Sequence, residues 1–161
     1  MLHVTGIATA EDIAKVTPPA ERLSKGPCAM VECYQKIPCN PCATSCPFGA
    51  FTKDNDINEL PVIDYARCTG CGVCVSHCPG LAIFIVDVSS DGDQGVVRIP
   101  YEMLPLPAEG EQVQGLGRDG RSICAARVQR VQNAANQDRT PIIWLEVPKA
   151  HVMDVRHFQR L

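Results

Sequence analysis

Aromatic residues are scarce in this chain: one Trp, three Tyr and four Phe make up 5% of 161 residues, too few for a large aromatic core. Neither sign of charge dominates. The net charge is −3 and the pI about 5.8, and Lys and Arg are scattered. No basic stripe with interleaved aromatics occurs, so no nucleic-acid partner is expected. No apolar run approaches the roughly 18–20 residues that span a bilayer. The longest, Leu81 to Val86, is strand-sized, and no membrane span is expected. Met1 to Pro19 has neither a basic nor an apolar stretch of the kind that directs secretion, and Glu11 and Asp12 stand where one would be. A cytoplasmic setting with reduced thiols is therefore expected. No Ser/His/Asp arrangement, phosphate loop or paired-carboxylate site is evident, so no catalytic residue is named and enzymatic activity of the chain itself is left open.

Cysteine, by contrast, is abundant, with ten residues, alongside thirteen prolines and twelve glycines. Four thiols fall within eleven residues in Cys68-x-x-Cys71-x-x-Cys74-x-x-x-Cys78-Pro79. A tight loop turns the first three sulfurs toward one point, and the fourth follows a helical turn later, where proline stops the chain curling back. Zinc commonly takes two separated CxxC pairs instead. In a loop-rich chain, metal must supply much of the folding free energy of this part.

The run occurs twice, 32 residues apart. Cys39-Asn-Pro-Cys42-Ala-Thr-Ser-Cys46-Pro47-Phe48-Gly49 aligns with Cys71-Gly-Val-Cys74-Val-Ser-His-Cys78-Pro79-Gly80-Leu81. Over residues 28–88 the chain resembles the bacterial-type two-cluster [4Fe–4S] ferredoxins, whose halves are related by a pseudo-twofold. The resemblance implies two [4Fe–4S] clusters with a crossed fourth ligand: Cys68, Cys71, Cys74 and Cys46 around cluster two, and Cys33, Cys39, Cys42 and Cys78 around cluster one. Cys33 stands six residues before Cys39, and the repeat puts Lys36 where Cys68 sits in the second half. Cys28 is the alternative to Cys33. Otherwise Cys28 and Cys124 are expected to be small buried hydrophobes.

The expected architecture is α+β. Residues 1–27 read as an extension with a helix capped at Thr9 and a second short helix from Pro19. Residues 28–88 form the ferredoxin-like domain, with strands at 29–34, 61–65 and 83–86 and single-turn helices at Cys46–Phe51 and Cys78–Ala82. Lys53 to Glu59 reads as a polar connector with Asp-Asn turn chemistry. Tyr34, Phe48, Phe51, Tyr65 and Phe84 are expected to keep water off the clusters. Residues 89–161 form a small β-rich, barrel-like docking domain, with strands at 96–101 and 141–148 and a hairpin turning at Arg118-Asp119-Gly120. A helix at 122–135 is the alternative there. Gly115-Leu-Gly117-Arg-Asp-Gly120 matches G-x-G-x-x-G, but no parallel strand-to-helix context surrounds it, so nucleotide binding is not expected. His77 is expected to be solvated or bonded to backbone rather than a ligand.

The chemistry expected is one-electron transfer. About a hundred residues beyond the ferredoxin-like span carry no catalytic signature, which points to a subunit of a hetero-oligomeric oxidoreductase. The string Val31-Glu-Cys-Tyr-Gln-Lys-Ile-Pro-Cys-Asn-Pro-Cys42, with Val147-Pro-Lys149 and Met153-Asp-Val-Arg156, is similar to small iron–sulfur subunits of FAD-dependent dehydrogenases of the proline/hydroxyproline type. That similarity implies a flavoprotein complex, with FAD in a partner subunit and not in this chain. A freestanding ferredoxin-like carrier is the alternative, and a cluster-stabilised interaction module or redox sensor a third reading.

Overall fold

The computed structural model describes residues 2–53 and 56–161. The N-terminal segment forms three short helices, α1 (Leu2–Thr5), α2 (Ala10–Val16) and α3 (Ala20–Leu23). The cysteine-rich segment follows with β1 (Cys28–Val31), α4 (Pro41–Ser45), β2 (Phe51–Thr52), β3 (Val62–Ile63), α5 (Val73–His77) and β4 (Ile83–Asp87). Five strands complete the chain: β5 (Gln94–Pro100), β6 (Gln112–Leu116), β7 (Ser122–Gln132), β8 (Ile142–Pro148) and β9 (His157–Arg160). The Asp54-Asn55 step of the expected 53–59 connector lies outside the described residues.

Local chemistry accounts for many boundaries. Thr9 caps α2 through a capping box: its hydroxyl accepts from the Asp12 N–H at 3.3 Å and the Asp12 carboxylate accepts from the Thr9 N–H at 3.1 Å. α4 starts with Pro41 at its first turn, where the missing N–H is harmless. The single-turn helices do not lie at Cys46–Phe51 and Cys78–Ala82 as expected, but before them. Pro47 and Pro79 push the preceding residue out of the helical region, and Cys46 and Cys78 accordingly end α4 and α5 with ψ near 110°.

Seven strands join in one antiparallel sheet in the order β1-β4-β5-β8-β7-β6-β9, and β2 pairs with β3 in a separate ribbon. The sheet joins strands from both sides of the expected boundary between residues 88 and 89, because Val86 pairs with Cys28 on one side and Val97 on the other. Alternation along β4 serves two cores. Ile83 and Ile85 face Ala29, Val31, Phe51 and Val75, while Phe84 and Val86 face the larger core of Met30, Val97, Ile99, Val128, Leu145 and Phe158. Ile13 and Val16 of α2 and Leu23 of α3 pack on that larger core. The 122–135 region is strand β7, not helix; Val128 pairs with Leu145, and the backbone is bound on both sides by β6 and β8.

The barrel-like expectation is corrected: the sheet is open, with β1 and β9 as unpaired edges. Side chains span the gap where backbone pairing does not. Arg156, just before β9, bonds the Glu32 carboxylate at 2.6 Å and reaches the Met30 sulfur at 3.1 Å. Arg118, from the turn between β6 and β7, bonds the same carboxylate at 2.6 and 2.8 Å. All three side chains are close to dry, 5–11% exposed. Burial alone would raise the Glu32 pKa, but the two guanidinium groups outweigh it and hold the carboxyl below its ordinary range.

Candidate metal centre

α4 and α5 are each five residues long, and each turns its middle cysteine inward: Cys42 and Cys74 are buried. The flanking thiols then gather in two apolar cavities. One is lined by Cys33, Cys39, Cys42 and Cys78 together with Val31, Pro41, Pro61, Pro79, Ile83 and Lys53. The other is lined by Cys46, Cys68, Cys71 and Cys74 with Phe48, Phe51, Val73 and Ile85. Each cavity thus collects three thiols from one run and the fourth from the other.

Cys28 does not join either set. It is wholly buried on β1 in the larger core, beside Arg22 and Cys68, and burial pushes its pKa up to about 11. Cys124 sits half-buried on β7, against Gly115, and burial raises its pKa also.

The donors fit an iron–sulfur group. Burial pushes the Cys74 thiol up strongly, and the thiols of Cys71, Cys68 and Cys46 push it further. Burial likewise raises Cys33, and Cys78 and Cys39 add to it; Cys42 is raised by burial, with Cys78 and Cys39 acting the same way and Lys53 opposing. Four thiols crowded in an apolar cavity resist ionising together, and bound metal cations remove that penalty. Backbone N–H groups already point at sulfurs of the two sets: Ala50 to Cys46 and Ala29 to Cys68 at 3.4 Å, and Ala82 to Cys78 at 3.5 Å. Such bonds stabilise thiolate and tune cluster potential. Among the described residues no group of His, Cys, Asp or Glu converges on a single-ion point; thiolates around a four-iron cube stand farther apart than the ligands of one ion.

The loop carrying Cys68 and Cys71 is gripped from outside the cysteine-rich segment. Arg22 of α3 donates to the carbonyls of Cys68 and Pro27 at 2.7 Å, of Gly26 at 3.0 Å and of Tyr65 at 3.2 Å. Arg98 of β5 donates to the Gly70 carbonyl at 2.8 Å. Gly70 has φ +68°, and a Cβ there would stand 2.3 Å from the Pro27 carbonyl oxygen, so no side chain fits. At the first cavity Lys53 bonds the carbonyls of Cys39 and Ile57. No pattern in the sequence marks Arg22, Arg98 or Lys53, because their partners are backbone carbonyls, which every residue carries.

Other expectations resolve simply. His77 Nδ1 lies 2.9 Å from the Val73 carbonyl, as expected of a backbone-bonded ring. Phe48 and Phe51 wall the second cavity, whereas Phe84 lies on the other face of β4, with Arg156 stacked on its ring at 4.7 Å. Strand alternation sends it away from the cysteines. The G-x-G-x-x-G string is the end of β6 and a hairpin turn into antiparallel β7, which offers no helix N-terminus to a pyrophosphate.

Comparison with known proteins agrees with this site. Residues 61–84, which include Cys68, Cys71, Cys74 and Cys78, match the family described as a 4Fe-4S binding domain. The region is ferredoxin-like and iron–sulfur-binding. Over 47 residues the chain is 40% identical to the pyruvate synthase subunit PorD of Methanothermobacter marburgensis, covering 29% of this chain. The chain spans about half the length of that curated relative, 51%. No solved structure matches the chain. No helix among the described residues is long and apolar enough to cross a membrane.

Proposed function

We propose that this chain is an electron-transfer subunit of a larger oxidoreductase, passing electrons singly through two [4Fe–4S] clusters. The observation that carries this reading is the sorting of eight thiols into two apolar cavities, each with three cysteines of one run and the fourth of the other. Cys33, Cys39, Cys42 and Cys78 hold cluster one; Cys46, Cys68, Cys71 and Cys74 hold cluster two. When bound, each cluster supplies a reversible one-electron couple. The protein's part is to hold thiolates in place, to exclude water with Phe48, Phe51, Val31 and Ile83, and to aim N–H groups at sulfur. The pseudo-twofold repeat is supported by the matched lengths of α4 and α5 and the crossed sets of thiols.

A hetero-oligomeric role is supported by the relative, itself a subunit of pyruvate synthase, and by the large part of the chain that carries no candidate ligand. A flavin-containing partner of an amino-acid dehydrogenase complex, in the cytoplasm, rests on the resemblance of the Val31–Cys42 string and the C-terminal tail. Anaerobic purification of the native complex tests this part, with a bound flavin in a co-purifying subunit as the expected result. A reducible monomer would favour a freestanding carrier instead.

Iron and sulfide analysis tests the two-cluster reading, with about eight irons per chain expected. A value near four overturns it. Cys46→Ser is expected to perturb the cluster held by Cys68, Cys71 and Cys74 and to spare the other, read by electron paramagnetic resonance of the reduced protein.

A further inference from the structure

Arg22 and Arg98 stand on opposite flanks of the cysteine-rich segment, yet both end on the same four-residue loop, Cys68-Thr-Gly-Cys71. Arg22 ties the Cys68 carbonyl to those of Gly26, Pro27 and Tyr65. Arg98 binds the Gly70 carbonyl, and its guanidinium carbon lies over the Trp144 ring, 3.7 Å from the centroid. Its position follows from the sheet, where Ile85 pairs with Arg98 and Arg98 with Trp144, so all three project on one face. Ile85 lines the second cavity directly. The Arg98 Nε is buried with no protein partner, so this cation is only partly compensated where it sits. Neither arginine makes an ion pair with a carboxylate among the described residues.

We propose that Arg22 and Arg98 are positioning residues of cluster two: they clamp the Cys68–Cys71 loop from both sides and, as fixed positive charges beside it, raise the reduction potential of that cluster. The inference rests on the two-cluster reading above. Reduction adds one negative charge to the cluster, and a nearby cation stabilises the reduced form over the oxidised one; in a partly buried setting this attraction is only weakly screened. A stacked, planar guanidinium also holds the loop with little freedom left to lose. The flanks of the chain thus act on the electron-transfer site itself.

The test uses the full chain, anaerobically reconstituted, with both clusters followed by paramagnetic resonance during a redox titration. Arg98→Gln and Arg22→Gln are expected to lower the potential of one cluster only, raising its oxidised-to-reduced ratio roughly tenfold at a fixed applied potential, which is about 59 mV for one electron. Selective loss of that one cluster's iron also supports the clamp. Arg98→Lys and Arg22→Lys keep the charge and are expected to stay near the wild-type potential; a Lys variant that falls as far as its Gln counterpart overturns the charge assignment. Loaded Gln variants that titrate like the parent protein overturn the proposal as a whole. Failure of the underlying reading looks different, because the unmutated chain would then take up no reducible cluster pair. Trp144 is the single tryptophan, so its fluorescence reports separately whether the Arg98 stack has been lost.

Discussion

The two thiol cavities share their ligand plan but differ in what holds them. The cavity of Cys46, Cys68, Cys71 and Cys74 is gripped by α3 through Arg22, by the sheet through Arg98, and by the contact of Gly70 with Pro27. The cavity of Cys33, Cys39, Cys42 and Cys78 draws mostly on neighbouring chain, with Lys53 bonded to nearby carbonyls. It is tied to distant chain as well: Val31 pairs with Ile83 in the sheet, and Glu32, the residue before Cys33, is locked to Arg118 and Arg156. A shared ligand plan thus does not imply equal support. The second site is held by two arginines from outside the cysteine-rich segment, and the first by an ionic latch beside Cys33.

Deleting residues 89–161 is the most severe way to break that comparison. If those residues formed a separable docking domain, both clusters would survive the cut. The sheet argues otherwise: the cut strips β5 from β4, uncovers Met30, Phe84 and Val86, and leaves Glu32 without either arginine. An exposed apolar sheet face of this kind aggregates. Residues 1–88 alone are therefore expected to be insoluble or cluster-free, checked by soluble yield and iron per chain.

Gly70→Ala sharpens the comparison at a single atom. Left-handed backbone costs a non-glycine residue about 1–2 kcal/mol, and the methyl also collides with the Pro27 carbonyl. Cluster two is expected to be lost and cluster one kept, so iron falls by about half, from about eight to about four per chain. Full iron content would show that the loop tolerates displacement.

Glu32→Gln strikes the other site. Two guanidinium groups would be left in a nearly dry pocket with only the half-exposed Asp154 carboxylate, 3.9 Å from Arg118, to offset them, a loss of about 3–5 kcal/mol, read by denaturant unfolding. Because Glu32 precedes Cys33, cluster one is expected to be the more labile on exposure to chelator. Equal lability of both clusters would deny that the latch is specific to the first site. The smallest effect is expected from Cys124→Ala, which leaves iron content unchanged and shifts stability by less than about 1 kcal/mol; lost iron would mean that a ligand lies outside the two cavities.

Much of the fold was legible in the sequence because its causes are local. Thr9 and Asp12 make a capping box across three residues, short apolar runs mark β4 and β8, alternation marks β5, and Arg118-Asp119-Gly120 turns a hairpin. The single-turn helices lie before Cys46 and Cys78 because Pro47 and Pro79 exclude the residue before them from the helical region, and Ile123, Val128 and Val131 of β7 suit a helical face as well as a strand. Closure of the sheet was unreadable, since it depends on whether β1 and β9 meet, and nothing in either strand encodes that encounter.

By itself, the sequence determined the chemistry: thiols at two- and three-residue spacing can face a common centre only within a tight loop and one helical turn, and this constraint spans eleven residues. Only the tertiary structure decided the company those thiols keep. It set Cys33 rather than Cys28 beside Cys39, Cys42 and Cys78, left the sheet open with an Arg156 bridge, and brought Arg22 and Arg98 to one loop. Those contacts join residues far apart in the chain through carbonyls that every residue carries, so no local pattern announces them; they exist only because the packed cores bring the strands into register.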